Sequence, residues 1–230
     1  MELVLVRHGE PKWVSDDGRP EMDPALTPRG RAQAKLAAEA LAGSKKKPAE
    51  LIVSPARRAR ETAEPFAHAL GLTPLVIDDL TEFRLPDWTS LDPIEVADRF
   101  RKMRERPLDS WWSGADGGET FHDFEARVRA CLFDLLRARG VEPLDPASRH
   151  PRFRQVRDPG RIVIVAHGGT NALVTSLLLG MQTVPWVWEA ITLNHASFVR
   201  LRVIPLGGAS VVSLRSQNEC EHLPKELRTR

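Results

Sequence analysis

The stretch Arg161-Ile162-Val163-Ile164-Val165-Ala166-His167-Gly168-Gly169 decides the fold. Its apolar residues run without polar alternation and stop at a histidine followed by two glycines. Such a run predicts a strand covered on both faces, the usual setting of a parallel sheet. The same pattern recurs outward along the chain. Leu3-Val4-Leu5-Val6 ends in Arg7-His8-Gly9-Glu10, and Glu50-Leu51-Ile52-Val53 ends in Ser54-Pro55. Leu75-Val76-Ile77 is a further run, and 197–203 and 210–214 are joined by the turn-prone Pro205-Leu206-Gly207-Gly208.

Helical periodicity fills the gaps. Thr27-Pro28 reads as a cap with proline in the first turn, followed by a stripe of Ala32, Leu36, Ala37, Ala40 and Leu41 up to Gly43. A second helix is expected over 56–70, a third on Phe121, Phe124, Val128, Leu132 and Leu135, and a fourth over 170–179, stopping at Gly180. Strands alternating with helices predict a three-layer α/β/α sandwich with a mainly parallel sheet. The expectation is a single domain over 1–230. Within it, 81–160 is a helical, Trp-bearing insertion covering the active site, 143–160 is loop, and 216–230 is a polar tail.

Composition narrows the function classes. The 230 residues carry 33 Lys+Arg and 31 Asp+Glu, a formal charge of +2, so nothing demands a nucleic-acid or membrane partner. Two cysteines, Cys131 and Cys220, are too few for a disulfide scaffold or a multi-cysteine zinc module. No apolar run approaches the roughly 18–20 residues of a membrane span. Met1-Glu2 passes straight into the first strand, with no basic leader or small-residue cleavage site, which points to a cytoplasmic setting.

Ligands in open α/β sheets bind beyond the carboxyl ends of the strands. That rule selects His8 and His167, each followed by a glycine that lets the backbone turn tightly and approach a ligand. A third element converges on the idea. The helix after Ser54-Pro55 opens with Arg57-Arg58, although cations are disfavoured at the positive end of a helix. Arginines there make sense if they face an anion, and Arg7 and Arg58 could clamp a phosphate with fork-shaped hydrogen bonds.

These segments together resemble the histidine phosphatase superfamily, the phosphoglycerate-mutase-like group. The resemblance rests on Arg7-His8-Gly9-Glu10, on Leu26-Thr27 with Gly30, Gln33 and Ala34, on Ser54 with Arg58-Ala59 and Thr62-Ala63, and on Val165-Ala166-His167-Gly168-Gly169. It implies a nucleophile at His8 that forms a phosphohistidine, and a phosphate pocket of Arg7, Arg58, His167 and Gly168, with His167 also in a catalytic role. It implies a carboxyl acid in a Leu-x-Glu segment, matched by Leu80-Thr81-Glu82, and no metal or other cofactor. Asp78, Asp79 and Asp87 are rivals to Glu82 as proton donor. The expected activity is hydrolysis of a small phosphorylated metabolite. A homodimer is possible, and no nucleic-acid or membrane partner is expected.

The chain also departs from the family. Glycines expected after the acid are replaced by Phe83-Arg84-Leu85-Pro86-Asp87-Trp88-Thr89, so the pocket wall is reshaped. Trp13-Val14 and Gly169 stand where the mutases carry asparagines, which favours a phosphatase. A phosphoglycerate mutase and a catalytically inactive phospho-ligand binding module stay open as alternatives. The basic run 99–106 reads first as a solvated helix face and second as an anion funnel. Trp88, Trp111 and Trp112 read first as core or lid packing and second as ligand stacking, and Glu119-Thr120 as a helix start. His195, just before a strand near the expected pocket, reads first as a residue without a site role and second as a pocket contact.

Overall fold

A computed structural model of the chain describes residues 1–145, 148 and 150–230. Its eight strands form one sheet in the order β3-β2-β6-β1-β7-β8-β5-β4. They are β1 Glu2–Arg7, β2 Pro48–Val53, β3 Leu75–Val76, β4 Val141–Pro143, β5 Phe153–Gln155, β6 Arg161–Ala166, β7 Phe198–Leu206 and β8 Ala209–Glu219. The helices are α1 Pro28–Ala42, α2 Arg57–Leu70, α3 Pro93–Glu105, α4 Phe121–Ala138, α5 Gly168–Leu179 and the short α6 Val187–Ala190.

The fold is α/β, but the sheet is not mainly parallel. Strands β3, β2, β6 and β1 pair in parallel. Every pairing beyond β1 toward β7, β8, β5 and β4 is antiparallel. The reason is local: Gly207 and Gly208, both at positive φ, make the short turn between β7 and β8. A connection that short can only join antiparallel neighbours. The stretch 143–160, read as loop, contributes β5 and the end of β4. Residues 216–219 complete β8, and the chain beyond them returns to the sheet, with Leu223 buried among Ala37, Phe66 and Phe198.

The core follows from strand alternation. Leu3 and Leu5 of β1 face a cluster with Phe121, Phe124 and Leu132 of α4 and Leu173 and Leu177 of α5. Val4 and Val6 point the other way, onto Ala37 and Leu41 of α1 and Ala59 and Phe66 of α2. Both faces of the central strands are therefore covered, as an unbroken apolar run requires. Burying each large apolar side chain stabilises the fold by about 1.5–3 kcal/mol. The exception is β3, whose two residues are exposed at the sheet edge. Thr27 caps α1 by accepting from Gly30 N at 2.9 Å, and α5 stops where Gly180 turns left-handed at φ 68°. No helix among the described residues is long and apolar enough to cross a membrane.

Candidate active site

The central pair of parallel strands builds the site. Arg7 of β1 lies opposite Ala166 of β6, so the next residues, His8 and His167, leave the sheet side by side. Their ring centroids are 5.2 Å apart at 65°. His8 is only 4% exposed. Its Nδ1 lies 2.8 Å from Gly9 O. A carbonyl only accepts, so Nδ1 carries the proton and the Nε2 lone pair is left free. Burial, followed by the charges of His167, Arg58 and Arg7, pushes the His8 pKa well below the usual 6.5, so the ring is neutral.

Glycine is required where the chain leaves β1. A Cβ on Gly9 would come within 2.5 Å of Gly30 O, and one on Gly30 within 2.2 Å of Glu10 O. The loop after His8 therefore lies directly on α1, which explains the segment Leu26–Ala34 in structural terms. Gly9 N also donates to Thr62 Oγ1 at 2.9 Å, tying the loop to α2.

Around His8 the site gathers buried nitrogen atoms. Among the described residues, Arg7 Nε, Arg58 Nε and His167 Nδ1 are all buried without a hydrogen-bond partner. An orphaned buried donor is costly, about 1–3 kcal/mol and more when charged, so three from separate elements mark a site shaped for an acceptor. Arg58 sits in the first turn of α2, which has no side-chain cap, is 7% exposed, and stacks at 5.1 Å over Trp13. Burial lowers its pKa and brings that of Arg7 down to about 10, yet both stay cationic near neutrality. His167 Nε2 lies 2.7 Å from Ser54 Oγ. Burial and the two arginines hold His167 well below its ordinary pKa. Gly168 opens α5 beneath Arg7, where a Cβ would lie 3.5 Å from Arg7 Nε.

Glu82 faces the same space from the side. Its Oε2 accepts from Gly169 N at 2.8 Å, and its Oε1 accepts from Thr170 N at 3.1 Å and Phe83 N at 3.0 Å. The carboxylate thus rests on the N-terminus of α5, oriented by three backbone N–H groups. Arg127 of α4 fixes the backbone behind it, donating to Asp79 O, Thr81 O and Glu82 O at 2.8, 3.0 and 2.9 Å while paired with Glu119 at 2.6 Å. Asp78, Asp79 and Asp87 are exposed, and none of them lines the cavity.

A cavity of about 610 Å³ opens from the cup, lined by Arg7, His8, Arg58, Glu82, Gly168 and Gly169 at its floor. Its outer walls carry Trp13, Phe83, Phe100, Trp111 and Trp188. Trp88 is buried and packs edge-on to Phe100 at 5.2 Å, while Trp112 stacks on His122 at 4.9 Å. Trp111 therefore differs from its two neighbours in facing the cavity. In the basic run, Arg101 is engaged with Asp98 and Glu105 on the surface, whereas Arg104 and Arg106 line the cavity. Thr120 caps α4, as its helix-start reading implies.

Thr170 and Arg127 carry no signal of their own in the sequence, and Ser54 appears there only as a motif residue without a role. All three act through contacts between elements distant along the chain. His195 does not line the cavity but touches residues that do: its ring lies 5.7 Å from His8, and its Nε2 lies 3.1 Å from Arg7 Nη2.

Comparison with known proteins agrees with this geometry. The family profile of the histidine phosphatase superfamily, branch 1, matches residues 3–144. The chain belongs to that superfamily and is a phosphatase. Among its relatives is glucosyl-3-phosphoglycerate phosphatase of Mycobacterium tuberculosis, 31% identical over 187 residues, which cover 80% of this chain and 78% of that protein. Another, phosphoserine phosphatase 1 of Hydrogenobacter thermophilus, is 32% identical over 141 residues, 59% of this chain and 64% of that one. A mycobacterial glucosyl-3-phosphoglycerate phosphatase solved with inorganic phosphate superposes with a TM-score of 0.69 at 28% identity, covering 97% of this chain and 99% of that one.

Proposed function

We propose that this phosphatase hydrolyses a small phosphorylated metabolite through a phosphohistidine on His8, with Glu82 as general acid and then general base, and without a metal ion. The observation that carries the reading is the convergence of Arg7 Nε, Arg58 Nε and His167 Nδ1, each buried and unpartnered, around the neutral ring of His8. A phosphoryl group fits that set, because its equatorial oxygens accept from all three. Ser54 Oγ lies 2.7 Å from His167 Nε2, and in the tautomer in which Ser54 donates to it the His167 proton sits on Nδ1 and serves as one of those donors.

In the first step His8 Nε2 attacks phosphorus, the P–N bond forms and the P–O bond to the alcohol breaks. Glu82 supplies a proton to the departing alkoxide. In the second step the Glu82 carboxylate takes a proton from water, whose oxygen attacks phosphorus, and the P–N bond breaks to release inorganic phosphate. The Gly9 carbonyl keeps the His8 proton on Nδ1 throughout, so the phosphorylated ring is held in one orientation.

The chain acts as one domain over 1–230, with 81–160 as a cap. Support comes from the cap residues Phe83, Leu85, Phe100, Met103 and Trp111, which wall the leaving-group side of the cavity. Its aromatic wall and volume suit a ring-sized alcohol. Glucosyl-3-phosphoglycerate and phosphoserine, named for the relatives, are the first substrates to try. The mutase alternative loses support at Gly169, because a Cβ there would lie 2.5 Å from Glu82 Oε1, so an asparagine would displace the acid. A cytoplasmic setting agrees with two cysteines that are both buried and free.

The test is a panel of phosphomonoesters, phosphoglycerates included, with a chelator present. Free phosphate release that drops at least about a thousandfold in His8→Ala is expected for loss of a covalent nucleophile. Phosphoryl shift without release would establish the mutase instead. Normal turnover by His8→Ala would overturn the mechanism.

A further inference from the structure

Around Arg7, and beside His8, a second set of hydrogen bonds serves no step of the mechanism above. A guanidinium only donates, so His195 Nε2, 3.1 Å from Arg7 Nη2, is the acceptor and the His195 proton lies on Nδ1. That Nδ1 donates to Thr229 Oγ1 at 2.9 Å, and His195 N donates to Thr229 O at 2.9 Å. Thr229 Oγ1 also accepts from Gln33 Nε2 at 2.8 Å. Gln33 is fully buried in α1, and its Oε1 accepts from Glu10 N at 2.8 Å, two residues beyond His8. Residues 7, 195, 229, 33 and 10 are thereby joined in one chain of hydrogen bonds that starts and ends on the segment bearing His8.

We propose that Thr229 and His195 are positioning residues for Arg7, so that the 223–230 segment is part of the catalytic apparatus. Among the described residues the Arg7 guanidinium has two hydrogen-bonding anchors, Leu193 O at 2.5 Å and His195 Nε2. Together they fix the guanidinium plane and leave Nε facing the cup above Gly168. With Leu193 O alone the plane can turn about a single contact. His195 can accept only while neutral, and burial beside Arg7 keeps it so, with its pKa held down at about 3. Thr229 in turn holds the His195 ring with its proton pointing away from Arg7. The next residue, Arg230, lines the cavity and pairs with Glu189 at 3.2 Å, so the same segment also contributes to the wall.

The inference rests on the phosphatase reading for its kinetic readout, and phosphate binding gives a readout that does not. Four full-length variants, His195→Leu, His195→Gln, Thr229→Val and Thr229→Ser, are compared for kcat/KM and, by calorimetry, for the Kd of inorganic phosphate. Displacing a binding group by about 1 Å costs up to about 100-fold, so His195→Leu is expected near that loss and Thr229→Val near about tenfold. His195→Gln, whose carbonyl can accept from Arg7, and Thr229→Ser, which keeps the hydroxyl, should recover most of the loss.

A double-mutant cycle separates positioning from general damage: in an Arg7→Ala background, Thr229→Val should have no further effect on either quantity. Thr229→Val within about twofold of wild type, or losing its full factor again in the Arg7→Ala background, or not rescued by serine, overturns the inference. If wild type turns over no ester while Thr229→Val still weakens phosphate binding, the phosphatase reading fails and the positioning role stands.

Discussion

The floor and the roof of the cavity are built on opposite principles. The floor residues His8, His167 and Arg58 are almost wholly buried and hang from β1, β6 and the start of α2. The roof helix α3 has no buried residue. Its Asp92–Glu95 capping box and the surface pairs of Arg101 and Lys102 with Asp98 and Glu105 are internal to it, and it meets the rest of the protein through Phe100 on Trp88 and Arg104 on Glu189. Exposed pairs of that kind stabilise by only about 0–1 kcal/mol each. Chemistry that tolerates little displacement is thus placed on the sheet, and contacts that choose the alcohol on a loosely packed element.

Substitutions at the floor should cost the most. Glu82→Gln removes the proton donor and is expected to lower kcat by about 10²–10⁴-fold on alkyl phosphates. The loss should shrink on aryl phosphates, whose leaving groups need no proton, and equal losses on both would remove the acid role. Arg58→Ala should lower kcat/KM by about 10²–10³-fold, the usual cost of losing one charge-stabilising donor. Its melting temperature should hold or rise, because a buried cation with an orphaned Nε is itself unfavourable. A large drop in melting temperature would mean that Arg58 is structural.

Acid should separate the two regions next. His8, His167 and His195 all have folded pKa values lowered from 6.5, chiefly by burial. The folded state prefers each of them neutral, so their contribution is complete above about pH 6.5. Below that the unfolded chain binds protons first, and stability falls by up to about 1.4 kcal/mol per pH unit per histidine. For His195 the decline continues toward a pH of about 3. The roof's Asp98 has its pKa lowered from 3.8 by hydrogen bonds to Lys102 and Arg101, so its share is lost only in stronger acid. Melting temperature against pH should therefore begin to fall near 6.5, and His195→Gln should make the fall shallower. A flat profile down to pH 4.5 would contradict the buried neutral histidines.

The smallest effect belongs to the roof. Phe100 is 44% exposed and lines the cavity, so Phe100→Ala should leave the fold intact. It should lower kcat/KM about tenfold or less for a ring-bearing ester and leave that for ethyl phosphate unchanged, as expected for one apolar wall contact. An equal loss on both esters would mean that α3 supports the floor as well.

What could be read from the residues matches this division. His8 and His167 were legible because an unbroken apolar run must end where a buried parallel strand ends, and glycine after each leaves the backbone room to turn. Arg58 was legible because a cation in a helix's first turn conflicts with the dipole. Glu82 was reached only through resemblance, since a lone carboxylate after a short run carries no pattern. Arg127 and Thr229 could not be found in this way, and Ser54 was visible only as part of a motif, because each acts through contacts across a large sequence separation. The parallel expectation failed for the outer strands for a related reason. Apolar runs report burial but not direction, and the direction lay in the Gly207-Gly208 turn.

The amino-acid sequence by itself determined which segments are strands and helices at the centre, that two histidines and two arginines stand at their ends, and the superfamily they resemble. Hydrophobic periodicity and backbone preference are local properties, and they are written in consecutive residues. Only the tertiary structure decided which donors are left unpartnered, which wall faces the alcohol, and that residue 229 reaches behind residue 7. Those are properties of packing, and they arise when segments far apart along the chain exclude water from the same small volume.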